Sequence, residues 1–149
     1  MAHKPNVISA TWVSGHQFDT GRPDGPVARL DGSAQSGQSP PDALLSALAA
    51  CSGIDVVDIL AKRRTPVERL VIDVEGTRRE ETPRRFTRLR ITFYVDGAGI
   101  ETVHAERAVT LAFEKYCSVA ASLAPDIVAE TRVVVNGVQG PIVAQPLGR

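Results

Sequence analysis

The chain has 149 residues, and its 17 Lys+Arg against 17 Asp+Glu leave no formal net charge. One domain of that length buries ~68–70% of the surface its unfolded chain exposes, so it needs no disulfide or metal staple. With 43% hydrophobic and 23% charged residues, composition excludes wholesale disorder, collagen and coiled coil. The balanced charge supplies no field to attract nucleic acid or an anionic membrane.

The N-terminal residues 1–6 are expected to be loose. They lead into a strand-like stretch without the apolar core of a signal peptide. No run is read as a membrane span, which takes ~18 apolar residues. The expected location is therefore the cytoplasm, where Cys51 and Cys117 would be reduced at rest. These two cysteines are 66 positions apart, which is neither a C-x-x-C redox motif nor zinc spacing.

Val7 to Phe18 alternates and is rich in β-branched residues, so it reads as one strand. Asp19 to Pro26 is dense in turn residues. Val27 to Leu30 is a short second strand, and Gly32 to Ser39 a polar loop. A helix follows over 40–64. Ser39 can cap it, Pro40 suits its first position, and Asp42 falls three after the cap. Pro66 stops it. The stretch from Ala43 to Ile54 has no charged face, and a helix apolar all round is buried all round. One small sheet covers one side, so a second copy of the chain is expected on the other. Val67–Gly76 and Phe86–Val95 form a predicted hairpin joined through Arg78 to Arg85. Leu89, Ile91, Phe93 and Val95 share one face of its second strand. Glu101 to Leu123 reads as a single helix with Val109, Phe113, Tyr116 and Leu123 near one stripe. Ile127 to Val135 is a last strand, Asn136-Gly137 a turn, and residues 140–149, with two prolines, a loose tail. The order β-β-α-β-β-α-β gives a single α+β domain over 1–149.

Taken singly, each cysteine fits a small buried hydrophobe. The two motifs around them say more when taken together. Ser39-Pro40-Pro41-Asp42-Ala43-Leu44-Leu45-Ser46-Ala47-Leu48-Ala49-Ala50-Cys51-Ser52-Gly53-Ile54-Asp55 resembles the first cysteine motif of the OsmC/Ohr family. Glu114-Lys115-Tyr116-Cys117-Ser118-Val119, followed by Leu123, resembles its second. Thr82-Pro83-Arg84-Arg85-Phe86 before a strand is similar to the YhfA-type, OsmC-like branch. The resemblance covers about Val7 to Asn136. It implies an OsmC-like fold: a curved antiparallel sheet with two long central helices, in an intertwined homodimer.

The resemblance also implies a chemistry. A thiolate at Cys51 would attack an organic hydroperoxide or hydrogen peroxide. The sulfenic acid would condense with Cys117 to a disulfide, and an external dithiol would reduce it. No metal or organic cofactor is implied. A thiolate needs a nearby cation; the matching candidate is Arg22 in Thr20-Gly21-Arg22, with Arg29 the alternative. The family's glutamate position is Pro41 here, and Asp42 reads as a capping residue. Asp55 lies four residues after Cys51, on the same helical face. It reads as an acid that orients Arg22 or carries a proton, or as a helix-surface or intersubunit salt bridge.

Two other readings stay open. One is a small-molecule-binding or redox-sensing protein with slow or no peroxidase activity. The other is a nucleic-acid module on the arginines from Arg78 to Arg90, against which stand the neutral charge and the solvated face such a hairpin ordinarily has. His3, His16 and His104 have no metal spacing.

Overall fold

The computed structural model describes residues 2–149. The chain divides into two compact units, Met1–Leu44 and Leu45–Arg149, where the sequence suggests one. The boundary falls inside the first helix.

The first unit holds an antiparallel sheet of β1 (Ser9–Ser14), β2 (Gln17–Gly21) and β3 (Ala28–Asp31). The single strand expected over Val7–Phe18 is thus a hairpin. Its turn at Gly15-His16 is allowed by Gly15, whose φ is +49°, a value that costs glycine little. Residues 2–6 are exposed and take no regular structure; Met1, the first of the six expected to be loose, lies outside the described residues. Asp31 closes the loop after β3. Its carboxylate accepts from the backbone and hydroxyl of both Ser33 and Ser36, at 2.7–3.0 Å. The backbone N–H of Ser36 and the hydroxyl of Ser33 are the strongest of these donors. Together they hold the carboxyl well below the usual range, as donors to a charged form do.

Helix α1 (Pro40–Lys62) starts as its sequence indicates. The Asp42 N–H donates to Ser39 Oγ at 3.2 Å, and the Ala43 N–H to the Ser39 carbonyl at 2.9 Å. By length and composition α1 could cross a membrane, which corrects the expectation that no segment reaches that mark. One stripe of it, Leu48, Ser52, Gly53, Val56 and Leu60, is buried in the core of the second unit. Away from that stripe Ile54 and Val57 stay exposed, at 61% and 40%, beside the exposed Asp58.

The second unit is built on a sheet in the order β4-β5-β6-β7. Its strands are β4 (Arg69–Arg78), β5 (Phe86–Asp96), β6 (Val128–Val135) and β7 (Val138–Gln139). β4 and β5 form the expected hairpin, and β5 runs parallel to β6. Parallel neighbours need a crossover, here made by the second helical segment. Leu89, Ile91, Phe93 and Val95 of β5 are buried, as are Ala129, Thr131, Val133 and Val135 of β6. They pack with Leu48, Val56 and Leu60 of α1. Between β6 and β7, Asn136 and Gly137 both have positive φ, 47° and 84°, the primed hairpin turn that Asn-Gly favours.

Two expectations fail here. The tail from Gly140 is not loose: β8 (Val143–Gln145) pairs with β6, and Leu147 is buried. Gln145 pins it by donating to Thr131 Oγ1 at 3.0 Å and Thr110 Oγ1 at 3.3 Å. The prolines Pro141 and Pro146 flank this strand rather than forbid it. The helix expected over Glu101–Leu123 is three pieces: α2 (Thr102–Leu111), a π turn (Ala112–Tyr116) and α3 (Ser118–Ser122). The π turn adds a residue, so the apolar stripe does not continue to Tyr116, which is 52% exposed.

Candidate functional site

The π turn sets the position of Cys117. The Cys117 N–H donates to the Ala112 carbonyl, five residues back, at 2.7 Å. The backbone then turns extended, with φ −73° and ψ 105°. Cys117 caps α3, its Sγ accepting from the Ala120 N–H at 3.3 Å. π turns are often found at functional sites, and this one brings the second cysteine beside the first.

Cys51 and Cys117 are both free thiols, and each is the other's hydrogen-bond partner. Cys51 is half-buried and Cys117 is 3% exposed. Ser118 Oγ lies 3.9 Å from Cys51 Sγ. The two sulfurs are biased in opposite directions. Burial opposes the Cys51 thiolate, but four donors together outweigh it: the Val119 N–H, the Cys117 thiol, the Ser118 hydroxyl and the Ser118 N–H. The net effect lowers its pKa from 9.0. Burial dominates at Cys117. The Ala120 N–H works against it, but the neighbouring Cys51 adds to it, and the pKa is pushed up to about 11. Cys51 is thus the more acidic thiol, the one more readily made a thiolate, and Cys117 the less acidic one beside it.

Asp55 sits one helical turn beyond Cys51. Its Oδ2 is buried with no hydrogen-bond partner among the described residues. Burial, then the charge of Asp58, raises its pKa from 3.8. It has no salt-bridge partner among the described residues of this chain. It lines a cavity of about 470 Å³ between α1, α2 and the π turn, together with Arg107 and Tyr116.

Arg22 belongs to the first unit, in the exposed turn after β2, where its carbonyl accepts from the Gly25 N–H at 2.9 Å. Its guanidinium has no partner among the described residues. The alternative, Arg29, is engaged: its Nε and Nη2 donate to the Asp19 carboxylate and its Nη1 to Gln17 Oε1 at 3.1 Å. Asp42 lies in the first turn of α1, where its backbone N–H is capped by the Ser39 side chain. Several arginines of the hairpin are ion-paired: Arg85 with Asp126 at 2.7 Å, and both Arg88 and Arg90 with Glu130. That is the solvated-face reading of this segment. Among the described residues no His, Cys, Asp or Glu group could hold a metal ion.

Sequence reasoning missed Ser118 and Val119. Their contribution at Cys51 comes largely from peptide N–H groups, which leave no signature in residue type.

The protein-family model described as OsmC-like protein matches residues 32–132. The chain is similar to Protein YhfA of Escherichia coli K12, 41% identical over 113 residues, covering 75% of this chain and 84% of the relative. Its fold is similar to that of a hypothetical protein from Aquifex aeolicus VF5, with a TM-score of 0.81 and 28% identity, over 90% of this chain and 98% of the other. It is also similar in fold to an organic hydroperoxide resistance protein OsmC from Legionella pneumophila. That match has a TM-score of 0.60 and 16% identity, over 91% of this chain and 98% of the other. Two cysteine motifs, an α+β fold of matching architecture and a family match across two thirds of its length agree, and the chain belongs to the OsmC-like family.

Proposed function

We propose that the protein is a thiol-dependent peroxidase that reduces organic hydroperoxides, or hydrogen peroxide, in defence against oxidative stress. The observation that carries this reading is the thiol pair: Cys51 favoured as thiolate, with the protonated Cys117 thiol as its hydrogen-bond partner. Family membership and the Legionella relative's description as an organic hydroperoxide resistance protein support it.

The Cys51 thiolate attacks the distal peroxide oxygen. A sulfur–oxygen bond forms, the oxygen–oxygen bond breaks, and the alcohol leaves. The Cys117 thiol then attacks the sulfenic sulfur. A disulfide forms, and the hydroxyl departs as water with the Cys117 proton. An external dithiol reduces the disulfide and resets the pair, with no cofactor. Arg22 is the cation proposed to favour the thiolate. The working form is proposed to be a homodimer in the cytoplasm. Its second copy covers the exposed Ile54 and Val57 of α1 and leaves an apolar entrance that suits organic substrates.

Intact mass and free-thiol count, followed in time after one equivalent of cumene hydroperoxide, test the reading. The expected result is loss of both thiols and of two hydrogens, without crosslinking between chains. Persistence of both thiols would overturn it.

A further inference from the structure

The attack at Cys51 leaves one proton unassigned. An alkyl hydroperoxide expels an alkoxide, a poor leaving group unless a nearby acid protonates it. Asp55 stands on the same face of α1 as Cys51, and side chains four apart on a helix have Cβ atoms ≈ 5–6 Å from each other. Its Oδ2 is buried and has no hydrogen-bond partner among the described residues, an arrangement a native protein ordinarily avoids unless the group has a use. The Asp55 residue also lines the cavity bounded by Tyr116, the residue before Cys117. The cavity thus begins one turn of α1 from Cys51 and one residue from Cys117.

We propose that Asp55 is a catalytic acid of the thiol site, giving its proton to the alkoxide as the peroxide bond breaks. This rests on the peroxidase reading. The distal oxygen keeps its hydrogen and becomes the Cys51 sulfenic acid. Sulfur is oxidised by two electrons, and the peroxide is reduced by two. The proximal oxygen departs with the electron pair of the broken bond, takes the Asp55 proton and leaves as an alcohol. The carboxylate regains a proton from solvent before the next turnover.

The surroundings of Asp55 determine how this acid titrates. From its own helix Asp58 and Lys62 line the cavity, with Arg63 just beyond its end; from α2, His104 and Arg107; from the π turn, Tyr116. The His104 imidazole meets Glu101 at 3.1 Å. Burial and the charge of Asp58 both oppose ionisation of Asp55.

The test is single-turnover oxidation of Cys51, followed over pH with two oxidants. An alkyl hydroperoxide needs a proton on its leaving oxygen. A peroxy acid expels a carboxylate and needs none. With rates referred to the un-ionised oxidant, the native protein should show a bell-shaped profile with the alkyl hydroperoxide and a simple rise to a plateau with the peroxy acid. Asp55→Asn should be about 100-fold slower with the alkyl hydroperoxide. It should lose the fall at high pH and remain within about twofold of native with the peroxy acid. Asp55→Glu should recover part of the rate. Equal slowing with both oxidants, or with neither, would overturn the assignment while leaving the peroxidase reading intact. A native protein that oxidises with neither would overturn both. Should Asp55→Asn not fold, the surface change Asp58→Asn decides. It should move one limb of the native bell to lower pH, and an unmoved bell would overturn the proposal.

Discussion

Cys51 and Cys117 have the same side chain and adjoin one another, yet their surroundings favour opposite protonation states: hydrogen-bond donors prevail at Cys51 and burial prevails at Cys117. An acid whose pKa is lowered ionises earlier on the pH scale. The Cys51 thiolate therefore appears below pH 9.0, while Cys117 keeps its proton until about pH 11. Alkylation by iodoacetamide between pH 7 and 9 is expected to label Cys51 first, as peptide mapping would read. Ser118→Ala removes one of its donors and should shift the labelling midpoint to higher pH. The cysteines were legible in the sequence because their flanking residues form two motifs. Why Cys51 is the reactive one was not, since the Val119 and Ser118 N–H groups act through backbone geometry. Asp55 was legible as a neighbour four positions along, but its buried oxygen was not, because burial there depends on residues of α2 and the π turn.

Elements were legible where side-chain period decides them. β5 buries Leu89, Ile91, Phe93 and Val95 in strict alternation, and α1 starts at the predicted cap. Elements were lost where something other than period intervenes. The hairpin at Gly15 interrupts a run that reads as one strand. The π turn contains neither glycine nor proline, so nothing marks the break in the helix. β8 is only three residues long, too short for alternation to show, and is held by hydrogen bonds from Gln145 to Thr131 and Thr110. The tail can be tested directly. Leu147 is buried, so Leu147→Ala should cost about 2–5 kcal/mol of stability in denaturant unfolding, the range for truncating a buried leucine. A loose tail would give a change within about 0.5 kcal/mol.

At the scale of the molecule, the proposed dimer rests on α1. It buries one stripe within its own chain and leaves Ile54 and Val57 exposed on another face. Scattered apolar residues on a surface are ordinary, whereas a continuous apolar face signals a partner. Sedimentation velocity is expected to give a dimer. Ile54→Asp, which places a charge on that face while sparing the buried stripe, should shift the protein to monomer. A monomeric native protein would remove the dimer from the proposal. The all-apolar first half of α1 made this face legible in the sequence, but which residues lie on it only the packing of the opposite stripe reveals.

The π turn before Cys117 bears on how the chain tolerates insertions and deletions. One residue removed between Ala112 and Tyr116 could restore an unbroken α-helix, with every backbone bond remade. Each residue turns an α-helix by about 100°, so the same deletion would swing Cys117 away from Cys51. The fold could absorb the loss and the thiol pair could not. On the proposed function, the extra residue in that turn serves the thiol pair rather than stability, and a variant lacking it is expected to keep the architecture and lose the pairing of Cys51 with Cys117.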